Sequence, residues 1–67
     1  MKWRVERHRG GAGEWWKVVS EHDFEDMARA AYAFAVDEKR LGGVRLVTPS
    51  GAVKAEVWRG AREPARV

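Results

Sequence analysis

Apolar and polar positions alternate at the start of the chain and then change period. In Lys2 to Arg9, Trp3 and Val5 point one way and Arg4, Glu6 and His8 the other, the pattern of a half-buried strand. Gly10, Gly11, Ala12 and Gly13 make a turn, and Glu14 to Ser20 (EWWKVVS) reads as the returning strand. A four-residue loop pairs Arg9 with Glu14, Val5 with Val18 and Arg7 with Trp16. In that register Trp3, Val5, Trp16 and Val18 share one face. Arg4, Glu6, His8, Trp15, Lys17 and Val19 share the other, with Glu6 opposite Lys17. Trp15 and Trp16 are adjacent, so either indole can be the inner one.

The period then lengthens. Over His22 to Leu41, Phe24, Met27, Ala28, Ala31, Phe34, Ala35 and Leu41 fall on one side of a helical projection, and Glu25, Asp26, Arg29, Asp37 and Arg40 on the other. Ser20 or Asp23 is placed to cap the first turn, and Gly42-Gly43 to end the last. Glu25 and Asp26 suit the positive end of the helix dipole, Lys39 and Arg40 the negative end, and Glu25 stands four residues before Arg29. Tyr32 lies at the edge of the apolar sector, ring inward and hydroxyl in water. Glu38 falls within that sector and reaches solvent past the last turn.

Alternation resumes after the helix. Val44 to Thr48 is a strand, Pro49-Ser50-Gly51 a turn, and Val53 to Arg59 the return strand. Pairing Thr48 with Val53 sets Leu46 against Ala55 and Val44 against Val57. The outer side then holds Arg45 opposite Glu56 and Val47 opposite Lys54, with Trp58 beyond. The order is ββαββ, an α+β, two-layer domain: a four-stranded, mainly antiparallel sheet with one helix packed on one face. Residues 1–60 form one domain and 61–67 a flexible C-terminal tail. Two strand orders satisfy the pattern, one joining the hairpins through their first strands and one through the crossover.

Composition narrows the function classes. Sixty-seven residues support one small core, since a chain of this size buries only about 60% of its unfolded surface. There is no cysteine, hence no disulfide or cysteine-based zinc site, which suits a cytoplasmic protein. No apolar run approaches the ~18 residues of a membrane span, and no signal peptide precedes the first strand, as in a complete soluble protein. The net charge of +3 is basic but modest beside dedicated DNA binders.

Candidate chemistry is sparse. The glycine-rich loop joins two strands, whereas a phosphate cradle leads into a helix N-terminus. His8 and His22 match no metal-ligand spacing, and Ser20 and Ser50 have no identifiable base partner. The expectation is a non-enzyme with no cofactor and no metal. One helix covers one face of four strands, so the other face is open. Its candidate partner-binding residues are Arg4, His8, Trp15, Lys17, Val19, Arg45, Val47, Lys54 and Trp58. Two tryptophans and two valines are more than a solvent face needs. The leading expectation is a protein–protein interaction module, a regulator, adaptor or inhibitor of the size of phage or mobile-element accessory proteins. Its partner is another protein, itself as a homodimer, or both. The alternative is single-stranded nucleic-acid binding through Trp15 and Trp58 amid Arg and Lys; Glu6 and Glu56 oppose it.

Overall fold

The computed structural model describes residues 2–11, 13–38 and 41–60. In order come β1 (Trp3–His8), β2 (Lys17–His22), α1 (Glu25–Asp37), β3 (Gly42–Val47) and β4 (Val53–Arg59). The strands form one antiparallel sheet in the order β2-β1-β3-β4, so the hairpins join through their first strands. The two-layer ββαββ architecture is the one the alternating and helical periods call for.

The β3–β4 hairpin keeps its expected register at Val44↔Val57, Arg45↔Glu56 and Leu46↔Ala55. A bulge then sets Val47 opposite Val53, not Lys54, so Lys54 is the extra residue. The turn is closed locally. Thr48 N–H donates to the Ala52 carbonyl (2.8 Å), and Gly51 N–H to the Thr48 carbonyl (2.9 Å). Gly51 has φ +93°, which glycine adopts without steric cost.

The β1–β2 hairpin departs from the expected register. Val5 pairs with Ser20, not Val18, and Arg7 with Lys17, not Trp16. Glu6 faces Val18, and a bulge leaves Val19 without a directly opposed residue. β2 begins at Lys17, so the connection is twice the four residues expected. The physical reason lies on the open face. The longer excursion lets Trp16 pack on rings from β1 and β4, whereas a tight turn would place it under the helix.

The helix is shorter than the periodic stretch. Ser20 and His22 belong to β2, where His22 Nε2 lies 2.9 Å from Ser20 Oγ. Phe24 is the N-cap, with no side-chain capping bond, so neither Ser20 nor Asp23 caps the helix. α1 ends at Asp37, with Glu38 N–H bonded to the Phe34 carbonyl, and Gly42 and Gly43 start β3 instead of ending the helix. The last turn receives its cation from the sheet. Arg7 Nη2 donates to the Ala35 carbonyl (3.0 Å) and lies 3.8 Å from the Glu38 carboxylate, so Glu38 is drawn to Arg7 rather than left to solvent. Lys39 and Arg40, expected in that role, lie outside the described residues, as do residues 61–67 of the expected tail. The Glu25–Arg29 pair forms at 2.7 Å.

The core is built from short side chains. Ala28 and Ala35 meet Val5, Val44 and Leu46, with Trp3, Ala31, Tyr32, Val36, Ala55 and Val57 around them. Thus α1 presents its Ala28–Tyr32–Ala35–Val36 sector to the sheet. Phe24, Met27, Phe34 and Leu41, expected at the core, are exposed. Two apolar sectors adjoin on this helix, and the one with alanines lets it lie close over a sheet face already filled by valine, leucine and tryptophan. Tyr32 is partly buried against the core. Burial pushes its hydroxyl pKa up, and the Glu56 carboxylate adds to the rise. No described helix is long and apolar enough to cross a membrane.

Candidate interaction surface

On the face away from α1, β1 sends out Arg4, Glu6 and His8, β3 Gly43, Arg45 and Val47, and β4 Glu56 and Trp58. The register brings these into rows: His8 beside Gly43 beside Trp58, and Glu6 beside Arg45 beside Glu56. Each row behaves as a unit.

The first row is a ring cluster. The centroids of His8 and Trp16 lie 5.2 Å apart, those of His8 and Trp58 5.2 Å, and those of Trp16 and Trp58 5.5 Å. All three contacts are edge-to-face, the arrangement that aligns positive ring edges with negative faces. Gly43 is the floor. A β-carbon there would stand 2.9 Å from an atom of each indole, so the rings close over it only because it has none. The β1–β2 loop is tied to the cluster through His8, which is only 4% exposed. Gly10 N–H donates to His8 Nδ1 (2.8 Å), which fixes Nδ1 as the acceptor. Nε2 then carries the proton and donates to the Glu14 carbonyl at 3.1 Å.

The second row is an ion clasp. Glu6, buried, accepts from Arg45 Nε at 2.7 Å and from Arg4 Nε at 3.1 Å. Arg45 also lies over the Trp16 ring, its guanidinium carbon 4.3 Å from the centroid, and so links the two rows. On β4, the Trp58 indole N–H donates to Glu56 at 2.8 Å. Among the described residues no buried side-chain polar atom lacks a partner.

These contacts divide the predicted contact residues. His8 and Val47, at 4% and 1% exposure, have almost no surface to offer. Arg4, Arg45 and Trp58 are half-buried and engaged within the face. Lys17 sits opposite Arg7, at a helix-side position of the ladder, not with Glu6. Val19 and Lys54 are the two bulge residues and are exposed. Trp15 is 81% exposed, so Trp16, not Trp15, is the sequestered indole of the pair, and it is sequestered on the open face. Val18, expected inside, joins the exposed group.

Sequence reasoning missed Trp16, Gly43 and Glu6 as the organisers of this face. The β1–β3 pairing was the missing link, since only that pairing brings His8 to Gly43 and Glu6 to Arg45. Among the described residues no three His, Asp or Glu side chains are grouped to hold a metal. The fold and face define an open-faced α+β domain with a sealed centre and an apolar margin at β2. No family model matches the chain, and neither does any curated protein or solved structure.

Proposed function

We propose that this protein is a small non-catalytic protein-binding module whose contact surface is the β2 margin of the open face. One observation carries the reading. Trp15, Val18 and Val19 stand together in sequence and are exposed, while the neighbouring Trp16 and Trp58 shelter each other. An exposed indole beside two valines, backed by a rigid ring cluster, has the make-up of a binding hot spot: large apolar area held at little conformational cost. Arg4 and Arg45, held by Glu6, supply a polar rim whose geometry is set before binding. The bulge at Val19 and the lysine at the strand's start blunt β2 as a pairing edge, which favours side-chain contact over strand addition. A regulator, adaptor or inhibitor works by occupying a surface in this way.

The nucleic-acid reading draws less support. Stacking platforms need accessible rings among uncompensated cations. Here Trp58 is edge-packed and hydrogen-bonded, and the two arginines on the face share one buried glutamate.

The test is capture from the native host with wild-type protein and Trp15→Ala side by side. A stoichiometric protein partner retained by wild type and lost with Trp15→Ala is the expected result. Equal capture by both proteins would overturn the assignment of the surface, and steep salt-sensitive quenching of Trp15 by a single-stranded oligonucleotide would move the reading to nucleic acid.

A further inference from the structure

The largest apolar side chains of α1 are not in the core. Phe24, Met27 and Phe34 are 69%, 58% and 73% exposed, while the helix buries alanines. Met27 and Phe34 are seven residues apart and so lie on one flank, two turns from each other. On the helical projection that flank is turned well away from Tyr32, which packs against the core. It is a different surface from the Trp15 margin, and nothing in the proposed function uses it.

The stripe is symmetric about its own midpoint. Between Met27 and Phe34 lie Ala30 and Ala31, one on each side of the centre. A bulky–small–small–bulky series is self-complementary when a second helix is laid across it antiparallel. Each Met27 then meets the partner's Phe34, and the exposed Ala30 allows close approach at the crossing. A twofold interface requires this property, because each position must meet its symmetry mate on an identical chain. An unrelated partner imposes no such symmetry.

The area is adequate for a reversible pair. At the ~200 Å² an aromatic side chain can bury, the exposed parts of the two phenylalanines alone offer roughly 280 Å² per chain. With Met27, Ala30 and the helix shoulders the patch reaches about 500 Å², or about 1,000 Å² across the twofold, the threshold for a specific interface. We infer that α1 mediates a micromolar antiparallel homodimer through Phe24, Met27 and Phe34. Asp26 and Asp37 lie on one shoulder of the stripe, where pairing brings the two chains' carboxylates together, so salt strengthens this dimer.

Sedimentation of the full chain over a concentration series tests the inference, using Met27→Glu, Phe34→Lys and their equimolar mixture. Both positions are exposed, so far-UV circular dichroism is expected to stay unchanged. Each variant alone should lose dimerisation at least tenfold. The mixture should regain it, because the carboxylate introduced on one chain then meets the ammonium introduced on the other. A wild type that is monomeric at several hundred micromolar overturns the inference. So does a dimer that survives both substitutions, or a mixture that fails to associate. Trp15→Ala should leave the dimer untouched, so failure here and failure of the proposed partner surface are read separately.

Discussion

The two hairpins of this domain are made by different means. β3–β4 turns through Pro49-Ser50-Gly51, closed by backbone bonds within five residues and by the Thr48 hydroxyl, which accepts from Ala52 N–H at 3.1 Å. Its geometry is written in the turn residues themselves. β1–β2 crosses a glycine-rich loop that has one backbone bond of its own, Glu14 N–H to the Gly11 carbonyl (3.2 Å), among the described residues. The loop is otherwise placed by His8, and His8 by tryptophans from the loop and from β4. A locally closed turn carries its register in its own residues; a turn held by distant rings depends on β3 and β4 being in place.

The β1–β2 side of this contrast breaks hardest at Gly42. It has φ +115°, and a β-carbon there would collide with the His8 carbonyl. Gly42→Ala should cost on the order of 3 kcal/mol or more, enough to unfold a domain of this size, as read by urea titration. Next comes Trp58→Ala, which removes a β4 side chain yet should loosen the β1–β2 loop. We expect about 2 kcal/mol overall, less than a fully buried tryptophan because Trp58 is half-buried. Hydrogen exchange at Gly10 and Glu14 should accelerate while Gly51 keeps its protection. Equal acceleration at both turns would erase the distinction between them.

Glu6→Gln tests the seam between the hairpins. The amide leaves Arg4 and Arg45 without their shared negative partner, at a cost of about 1–2 kcal/mol given that both arginines are part-exposed. A smaller effect is expected at Gly51→Ala. Nothing lies within reach of the added carbon, so only the strain of φ +93° counts, about 1 kcal/mol, and the register of β3–β4 should survive. Least at neutral pH is Tyr32→Phe. A phenol whose pKa is raised in the fold favours the folded state fully below its unfolded value of about 10. That contribution is lost as pH rises through the higher folded value. Alkaline denaturation should therefore weaken in Tyr32→Phe, and absorbance of the one tyrosine should titrate later in the folded chain than in urea.

The same contrast explains what the sequence discloses. Element types, their order and three pairs of the β3–β4 ladder follow from alternation and a Pro-Ser-Gly turn. The strand order does not, and the β1–β2 register fails because Gly10 to Gly13 accepts many loop geometries. The sharper failure is at the helix. Phe24, Met27 and Phe34 form as good an apolar stripe as Ala28, Tyr32, Ala35 and Val36, and hydropathy favours the larger residues. Space above the sheet decides for the smaller ones. On the open face, alternation sets Trp15 and Trp16 on opposite sides without saying which indole is sheltered, and Trp16, Gly43 and Glu6 acquire their roles only from the β1–β3 seam. Strict alternation assigns Val19 and Lys54 to the open face, but each is the extra residue of a bulge, and bulges leave little mark on the sequence.

Both the ring cluster and the binding margin depend on which of two adjacent tryptophans is sheltered. Indole N–H resonances, assigned by single Trp→Phe substitutions, separate them directly. The Trp15 signal should exchange rapidly with water and stay in place in Gly43→Ala, while the Trp16 and Trp58 signals shift together in that variant and Trp58 exchanges slowly. A sheltered Trp15 beside a fast-exchanging Trp16 would contradict the ring cluster, the register of β2 and the binding surface built on them.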